Sequence, residues 1–151
     1  MRFYPEKWPI IKNEATTENF GIVEIVGKGE GLRTKKKFFT GELVFSFSGF
    51  LIPWRTLYTL EVSQTLHIED PYVMGKVIHS CSPNMSCDMQ TLSFFATRDI
   101  ESGEILTMDY ETTESILFRR FTCNCGSENC RKIIAGYLEV GKSRPLYSVV
   151  E

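Results

Sequence analysis

Three of the five cysteines of this chain fall within eight residues, and this cluster constrains the fold more than any other feature of the sequence. One residue separates Cys123 from Cys125, and four more precede Cys130, with Gly126 allowing a tight turn. A disulfide between Cys123 and Cys125 would close a short and strained ring. An odd number of cysteines also fits a disulfide framework poorly. We therefore predict that these thiolates bind a zinc ion rather than pair with each other.

A closed structural zinc site takes four ligands, so the cluster requires one more from elsewhere in the chain. The remaining thiols are Cys81 and Cys87, and the only imidazoles belong to His67 and His79. Spacing alone leaves this choice open. The alternative to zinc binding is three ordinary buried or reactive cysteines.

Composition bounds the class of protein. A chain of 151 residues with 42% hydrophobic and 24% charged residues fits one folded domain. The 17 basic and 19 acidic residues give a net charge of −2, so there is no strong sign of direct nucleic-acid binding. The basic run at 35–37 is interpreted as a solvated turn. No apolar run has the length of a signal peptide or membrane span, so we expect an intracellular protein, cytoplasmic or nuclear, without a membrane partner.

The order of residues predicts a mainly β fold with a minor α+β component. Strands are predicted at 20–26, 43–52, 65–68, 91–97 and 105–110, because apolar and β-branched residues alternate there between glycine turns. A helix is predicted over 112–121. Residues 54–66 fit a helical turn or a strand pair equally well.

Four segments of the chain form an ordered set of motifs. The first is Gly-Glu-Gly-Leu at 29–32, followed by Gly-Glu-Leu-Val at 41–44. The second is His-Ser-Cys-Ser-Pro-Asn at 79–84, and the third is Gly-Glu-Ile-Leu-Thr-Met-Asp-Tyr at 103–110. The fourth is Phe-Thr-Cys-Asn-Cys-Gly at 121–126, with Cys-Arg at 130–131. One glycine pair means little, but four segments in this order are highly specific. Together they resemble the SET-domain protein lysine methyltransferases that carry a post-SET zinc-binding tail, in the same order as in that family.

The resemblance implies a SET β-clip fold of several small sheets with a C-terminal zinc-bound tail. In this fold the His-Ser-Cys segment threads beneath a loop formed by the tyrosine-bearing stretch, as a pseudoknot. It implies an N-terminal extension at 1–20, a SET domain at 21–120 with a short insert at about 53–76, a post-SET zinc tail at 121–136 and a C-terminal tail at 137–151. None of the segments in these 151 residues resembles the family's pre-SET region. We therefore expect a small substrate groove that a partner, or a second copy in a homodimer, helps to complete.

The resemblance also implies a function. It predicts a protein-lysine N-methyltransferase that uses S-adenosylmethionine and acts on a lysine of a basic protein, such as a histone-like or ribosomal protein. Tyr110 is implied as the catalytic residue, and Cys87, Met108 and Tyr110 as the substrate channel. Cys81 is implied as the fourth zinc ligand beside Cys123, Cys125 and Cys130. Because neither Met108 nor Cys87 brings a phenol, a roomy channel that permits di- or trimethylation is a further hypothesis.

One substitution bears on the cofactor site. Ile78 stands where the family has an asparagine that helps hold the cofactor's polar end, and an isoleucine side chain forms no hydrogen bonds. We expect this departure to affect donor affinity more than the fold. The complete set that the resemblance implies for cofactor binding is Lys28, Gly29, Glu30, Gly31, Leu32, Ile78, His79, Asn84, Tyr110, Phe121, Cys130 and Ile133.

Two other readings of the chain stay open at this point. A SET-fold binding module without catalysis is favoured by Ile78 and opposed by the presence of Tyr110 and the four cysteines. A zinc-stabilised interaction domain unrelated to methyl transfer would leave the segments at 79–84 and 109–110 unexplained. We also consider a groove that attracts a basic peptide, lined by acidic residues that are otherwise ordinary surface carboxylates: Glu69, Asp70, Asp109, Glu111 and Glu114.

Overall fold

The computed structural model describes residues 1–142, which form twelve short strands in five small sheets. No α-helix occurs among these residues, and the helical content is two 3-10 turns at Met74–Lys76 and Tyr110–Thr112. The prediction of a mainly β fold with several small sheets is therefore confirmed. The strands are β1 (Phe20–Ile25), β2 (Gly29–Thr34), β3 (Leu43–Ser46), β4 (Phe50–Ile52), β5 (Thr59–Ser63), β6 (Leu66–Glu69), β7 (Ile78–His79), β8 (Met85–Asp88), β9 (Ser93–Ala96), β10 (Thr107–Met108), β11 (Phe121–Thr122) and β12 (Ile133–Ile134).

The main core lies against a three-stranded sheet with the order β3-β9-β8. Phe45 on β3 faces Phe94 on β9, with the ring centroids 4.9 Å apart, and both side chains are fully buried. On β8, the buried Met85 and Cys87 alternate with the exposed Ser86. This alternation is what places one face of a strand in the core and the other in solvent.

The structure changes several strand predictions. The predicted strand at 43–52 is divided into β3 and β4, which belong to different sheets. Gly49 lies between them, at a point where a Cβ atom would stand 2.3 Å from the carbonyl oxygen of Glu69. Residues 54–66 contain β5, which pairs with β6, so the strand pair is correct there. Strands β7 and β8 carry no sequence prediction.

The predicted helix at 112–121 is wrong. Only one turn forms, in which the N–H of Glu114 donates to the carbonyl of Tyr110. Beyond it the backbone bonds to a segment far along the chain. The carbonyl of Ser115 accepts from the N–H of Leu138, and the N–H of Leu117 donates to the Glu139 carboxylate. These tertiary bonds use the groups that a helix would need for itself.

Asn84 ties together the two segments that carry the site. Strands β7 and β10 pair in parallel although 28 residues separate Ile78 from its partner Thr107 in the register. The Asn84 side chain is buried, donates to the carbonyl of Ile105 at 2.9 Å and accepts from the N–H of Thr107 at 2.8 Å. The residues that follow β10, including Tyr110, are held beside β7 as a result.

The ends of the described chain also pack on the domain. Within the N-terminal extension, Tyr4 and Trp8 are buried and stack with their ring centroids 5.1 Å apart. The Tyr4 hydroxyl donates to Asp70 at 2.7 Å, which joins this extension to the insert. Tyr137 is buried, and residues 143–151 of the expected C-terminal tail lie outside the described residues.

Candidate active site

Tyr110 is held by hydrogen bonds at both its backbone and its phenol. Its N–H donates to Nδ1 of His79 at 3.1 Å, and its hydroxyl donates to the carbonyl of Val77 at 2.8 Å. Burial raises the pKa of the Tyr110 phenol well above its usual range, and the nearby charge of Glu114 raises it further. The phenol is therefore a neutral donor with a fixed orientation at physiological pH.

A cavity of about 410 Å³ lies on one side of Tyr110. Its volume is within the range of small-molecule sites. Five residues of the predicted cofactor set line it, namely Lys28, Ile78, His79, Tyr110 and Phe121. Leu57 and Arg119 line it as well, and the sequence reasoning had assigned neither of them to the site. No sequence pattern marks Leu57 as a site residue, whereas Arg119 lies within the predicted helix at 112–121.

The other members of the predicted cofactor set are not among the residues that line this cavity. Leu32 is in the core, and Glu30 forms an ion pair with Lys76 at 2.9 Å. Gly29 starts β2 with a φ of 76°, which a residue without Cβ adopts readily. The remaining ones are Gly31 on β2, Asn84 beneath β10, Cys130 in the cysteine cluster and Ile133 on β12.

A second, smaller cavity of about 40 Å³ also has Tyr110 in its wall. It is lined by apolar groups that include Leu57, Val77 and Met108, and by the carboxyl-bearing Glu114. Tyr110 and Leu57 are common to both cavities. Of the predicted channel residues, Met108 and Tyr110 therefore meet here.

Cys87 lines neither of these two cavities. It is buried on β8, where its sulfur lies 3.6 Å from the sulfur of Met89. Burial raises the pKa of its thiol far above the usual range. It is a small core residue next to the channel residues, since the Glu114 charge also acts on it.

The structure brings four cysteines together from two distant segments. The sulfur atoms of Cys81, Cys123, Cys125 and Cys130 all lie within 4.8 Å of one another, and those of Cys81 and Cys123 are 4.0 Å apart. Zinc with tetrahedral Zn–S bonds of ~2.3 Å requires sulfur–sulfur distances of about 3.8 Å. Burial raises the pKa of the Cys123 thiol to about 12, so a cation is needed to hold it as a thiolate. The four sulfur atoms fit a tetrahedral zinc ion, and Cys87 stays outside the cluster.

His79 connects the cysteine cluster to Tyr110. Because a backbone N–H only donates, Nδ1 of His79 accepts from Tyr110, and the proton of the neutral ring is then on Nε2. Nε2 lies 3.4 Å from the sulfur of Cys81 and can donate to it. Burial lowers the pKa of His79 to about 4, which keeps the ring neutral. A change at the cluster is thereby transmitted to the backbone of Tyr110.

Arg131 makes a second connection, which the sequence reasoning missed. It follows Cys130 and donates to Asp109 from Nη2 at 2.7 Å, while its Nε lies 3.0 Å from Glu111. Both carboxylates flank Tyr110 in the chain. Arg131 lies in the resembling segment at 130–131, but its partners depend on the tertiary structure.

The acidic residues do not form an open groove. Asp70, Glu111 and Glu114 are buried, so the expectation of a surface that attracts basic peptides through them is wrong. Asp70 accepts from three backbone N–H groups at the 3-10 turn Met74–Lys76. Glu111 is engaged with Arg131. Glu114 is in the wall of the small cavity.

The comparisons with known proteins agree with this geometry. The SET domain family profile matches residues 29–111, which is more than half of the chain. A protein of Aspergillus flavus named methyltransferase flvH is 36% identical over 86 residues, which are 56% of this chain and 48% of that protein. The histone-lysine N-methyltransferase ash1 of Drosophila melanogaster is 30% identical over 143 residues, covering 78% of this chain and 6% of that protein. The chain therefore spans about half or less of the length of these relatives.

Solved structures show the same fold. KRYPTONITE in complex with mCHG DNA and SAH aligns with a TM-score of 0.63 and 23% identity, over 76% of this chain and 28% of that one. The methyltransferase domain of human histone-lysine N-methyltransferase SETMAR aligns with a TM-score of 0.62 and 22% identity, over 78% of this chain and 58% of that one. Within residues 1–142, no helix has both the length and the apolar character needed to cross a membrane.

Proposed function

Since this chain belongs to the SET domain family, we propose that it is a protein-lysine N-methyltransferase that takes its methyl group from S-adenosylmethionine. The proposed substrate is an accessible lysine of a basic protein, such as a histone-like or ribosomal protein. The observation that carries this proposal is the position of Tyr110 between two cavities of different size. One has the volume for a nucleoside-sized donor, and the other has room for the end of one side chain.

The large cavity has the chemistry to hold the donor. Phe121 and Ile78 offer apolar surface against which an adenine ring can pack. Lys28 and Arg119 bring positive charge to the same wall, which suits the carboxylate of the donor's methionine part. When bound, S-adenosylmethionine supplies an electrophilic methyl group on a sulfonium. The residues named here bind and orient that donor.

The small cavity has the chemistry to hold a lysine amine. A free lysine has a pKa of ~10.4, so making it neutral at pH 7 costs about 4–5 kcal/mol. The apolar walls formed by Leu57, Val77 and Met108 disfavour the charged form and lower this cost. The Tyr110 hydroxyl, held by the carbonyl of Val77, keeps a fixed orientation where the two cavities meet. Positioning of this kind supplies much of the rate in a transfer between two bound groups.

The proposed zinc ion is structural. Cys123 belongs to the cysteine cluster and also lines the large cavity, so the zinc tail forms part of the donor site. With four protein sulfurs the coordination is closed, and the metal has no open position for catalysis. Reduced thiolates of this kind are typical of reducing compartments, which supports an intracellular protein, cytoplasmic or nuclear.

A SET-fold binding module without catalysis is a second candidate, favoured by Ile78. This side chain lines the large cavity and offers no hydrogen bond to a polar donor. In this candidate the site binds a partner without transferring a methyl group. Donor binding separates the two candidates.

Calorimetric titration of S-adenosylmethionine into the zinc-loaded protein is the first test. The methyltransferase proposal expects saturable binding at one site. Tritiated donor is then incubated with core histones and ribosomal proteins, comparing the wild type with Tyr110→Phe. Loss of at least about a hundredfold in kcat is expected for Tyr110→Phe, with donor affinity nearly unchanged. Tyr72→Phe is the matched control, because Tyr72 packs on Trp8 outside both cavities. Absence of binding at millimolar donor would favour the binding module.

The insert at about 53–76 exposes several large apolar side chains beside the two cavities. We propose that a substrate, or a second copy of the chain in a homodimer, covers this face. The exposed side chains are Trp54, Leu57, Tyr58 and Val62. Sedimentation velocity with and without a basic protein tests both arrangements.

A further inference from the structure

Glu114 is a buried carboxyl group that the proposed mechanism does not yet use. It is only 4% exposed and is in the wall of the small cavity together with Tyr110 and Met108. One of its carboxylate oxygens accepts from the backbone N–H of Glu61 at 2.8 Å, which fixes the side chain in place. The group is therefore held rigidly at the point where the lysine amine would arrive.

No ion pair within residues 1–142 neutralises Glu114. Arg55 is the nearby cation, but it bonds to Glu61 at 2.9 Å and to Ser115 at 3.3 Å. Burial raises the pKa of Glu114 to about 7, although the backbone bond from Glu61, the side-chain bond from Thr113 and the charge of Arg55 act in the other direction. A buried carboxylate without a cationic partner is costly, and such groups are found preferentially at functional sites.

The charged and titratable groups that face Glu114 come from each element packed around it. Glu61 of β5 raises its pKa and Arg55 lowers it. Burial and then the charge of Glu114 raise the pKa of Tyr110, beside β10. Burial, the charge of Asp88 and then that of Glu114 raise the pKa of Cys87 on β8. Neither Tyr110 nor Cys87 can therefore take up a proton from an incoming amine.

Resting on the proposed function, we propose that Glu114 binds the ammonium group of the substrate in the small cavity and accepts its proton. One N–H bond of the ammonium breaks, an O–H bond forms on Glu114, and the electron pair stays on nitrogen. The neutral amine then forms its bond to the methyl group as the sulfur–methyl bond breaks. The positive charge of the sulfonium passes to the methylated nitrogen, and Glu114 later releases its proton to water.

The surroundings favour this transfer. An ammonium beside a carboxylate is a pair of charges that a low-dielectric site stabilises poorly, whereas an amine beside a carboxylic acid carries no net charge on either partner. A volume of about 40 Å³ admits little besides the amine and its nearest carbon atoms. Glu114 is thereby also a specificity-determining residue, because it favours a charged amine over a neutral group of the same length.

The binding step can be tested without methyl transfer by NMR of methionine methyl groups. The chain has five methionines, and of these Met74 and Met108 line the small cavity. Zinc-loaded protein labelled with ¹³C at the methionine methyls is titrated at pH 8 with n-butylammonium, and separately with n-butanol. We expect saturable shifts of Met74 and Met108 with n-butylammonium, and an affinity for n-butanol that is at least about tenfold weaker.

Two variants make this test specific. Glu114→Gln keeps an oxygen acceptor for the N–H of Glu61 but removes the charge, and we expect it to bind n-butylammonium about tenfold to a hundredfold more weakly. Glu14→Gln removes a carboxylate that is also buried but pairs with Arg2 and lines neither cavity, and we expect binding within about twofold of the wild type. The signals of Met1, Met85 and Met89 report whether each variant is folded.

The inference is overturned if n-butylammonium shifts Met74 and Met108 equally in the wild type and in Glu114→Gln, or if n-butanol binds as well as n-butylammonium. Failure of the proposed function appears differently, as ammonium binding to Glu114 without methyl transfer to any basic protein. Where transfer is measured, kcat/KM of the wild type should rise with pH and level off above about pH 7. In Glu114→Gln, kcat/KM should be lower and should no longer level off above about pH 7.

Discussion

Replacement of Arg131 by methionine tests whether the cysteine-rich tail stabilises the segment that carries Tyr110. Arg131 donates one charge-assisted hydrogen bond, from Nη2 to Asp109 at 2.7 Å, and its Nε forms an ion pair with Glu111 at 3.0 Å that lacks hydrogen-bond geometry. The side chains of Arg131, Asp109 and Glu111 are 29%, 15% and 9% exposed, respectively, so solvent screens these pairs only in part. A hydrogen bond to a charged group contributes ~1.5–3 kcal/mol when buried, and partial exposure reduces this. We expect Arg131→Met to cost about 2 kcal/mol in the free energy of unfolding.

For a domain of this size, about 2 kcal/mol corresponds to a fall in Tm of roughly 4–8 °C. Thermal unfolding followed by circular dichroism measures this shift, and calorimetry measures the accompanying loss of donor affinity. Arg98→Met is the matched control, because Arg98 pairs with Glu104 at 3.0 Å while 53% exposed, and such surface pairs contribute ~0–1 kcal/mol. Arg131→Lys should recover only part of the loss, since an ammonium lacks the fork that reaches both carboxylates. Equal Tm values for Arg131→Met and Arg98→Met would refute the prediction that Arg131 of the cysteine-rich tail stabilises the segment that carries Tyr110.

Three further predictions concern the metal, the pH and the packing. Removal of zinc by a strong chelator should weaken donor binding, because His79 links Cys81 to the backbone of Tyr110. Metal analysis verifies the removal and calorimetry measures the donor affinity, which would be unchanged if this link had no effect. Burial raises the pKa of Glu114 to about 7 from 4.5, so the unfolded chain binds fewer protons and stability falls as pH rises between these values, by about 3 kcal/mol. Urea unfolding at pH 5–8 should show this contribution in the wild type and not in Glu114→Gln; parallel pH profiles would disprove it. Gly136→Ala should lower the free energy of unfolding by about 1–3 kcal/mol, because the added Cβ would lie 2.2 Å from the carbonyl oxygen of Ser115. Gly21→Ala is the control, since its Cβ would meet only the side chain of Lys35 at 3.5 Å. Equal urea midpoints for the two variants would show that the contact at Gly136 does not destabilise the fold.

Local sequence patterns predicted the elements that form from their own residues. Strand β1 and the turn at Gly27 were predicted correctly, because the strand is a run of β-branched residues and the turn residue has a φ of 77°. The helix at 112–121 failed because Ser115 and Leu117 bond to residues near Leu138 instead of to their own helical neighbours. Strand β7 was missed because two residues carry no periodicity, and it exists through its pairing with β10.

The candidate site likewise combines features that the sequence predicted with features that depend on the tertiary structure. The sequence by itself predicted a metal-binding cysteine cluster, and its ordered segments indicated Tyr110, His79 and Phe121, which line one cavity. Only the tertiary structure decided that Glu114 is buried in the wall of the small cavity and that Arg131 pairs with the carboxylates around Tyr110. The physical reason is that ligand chemistry and turn formation depend on residue types at short spacing. Burial, charge pairing and cavity walls depend on which distant segments are brought into contact.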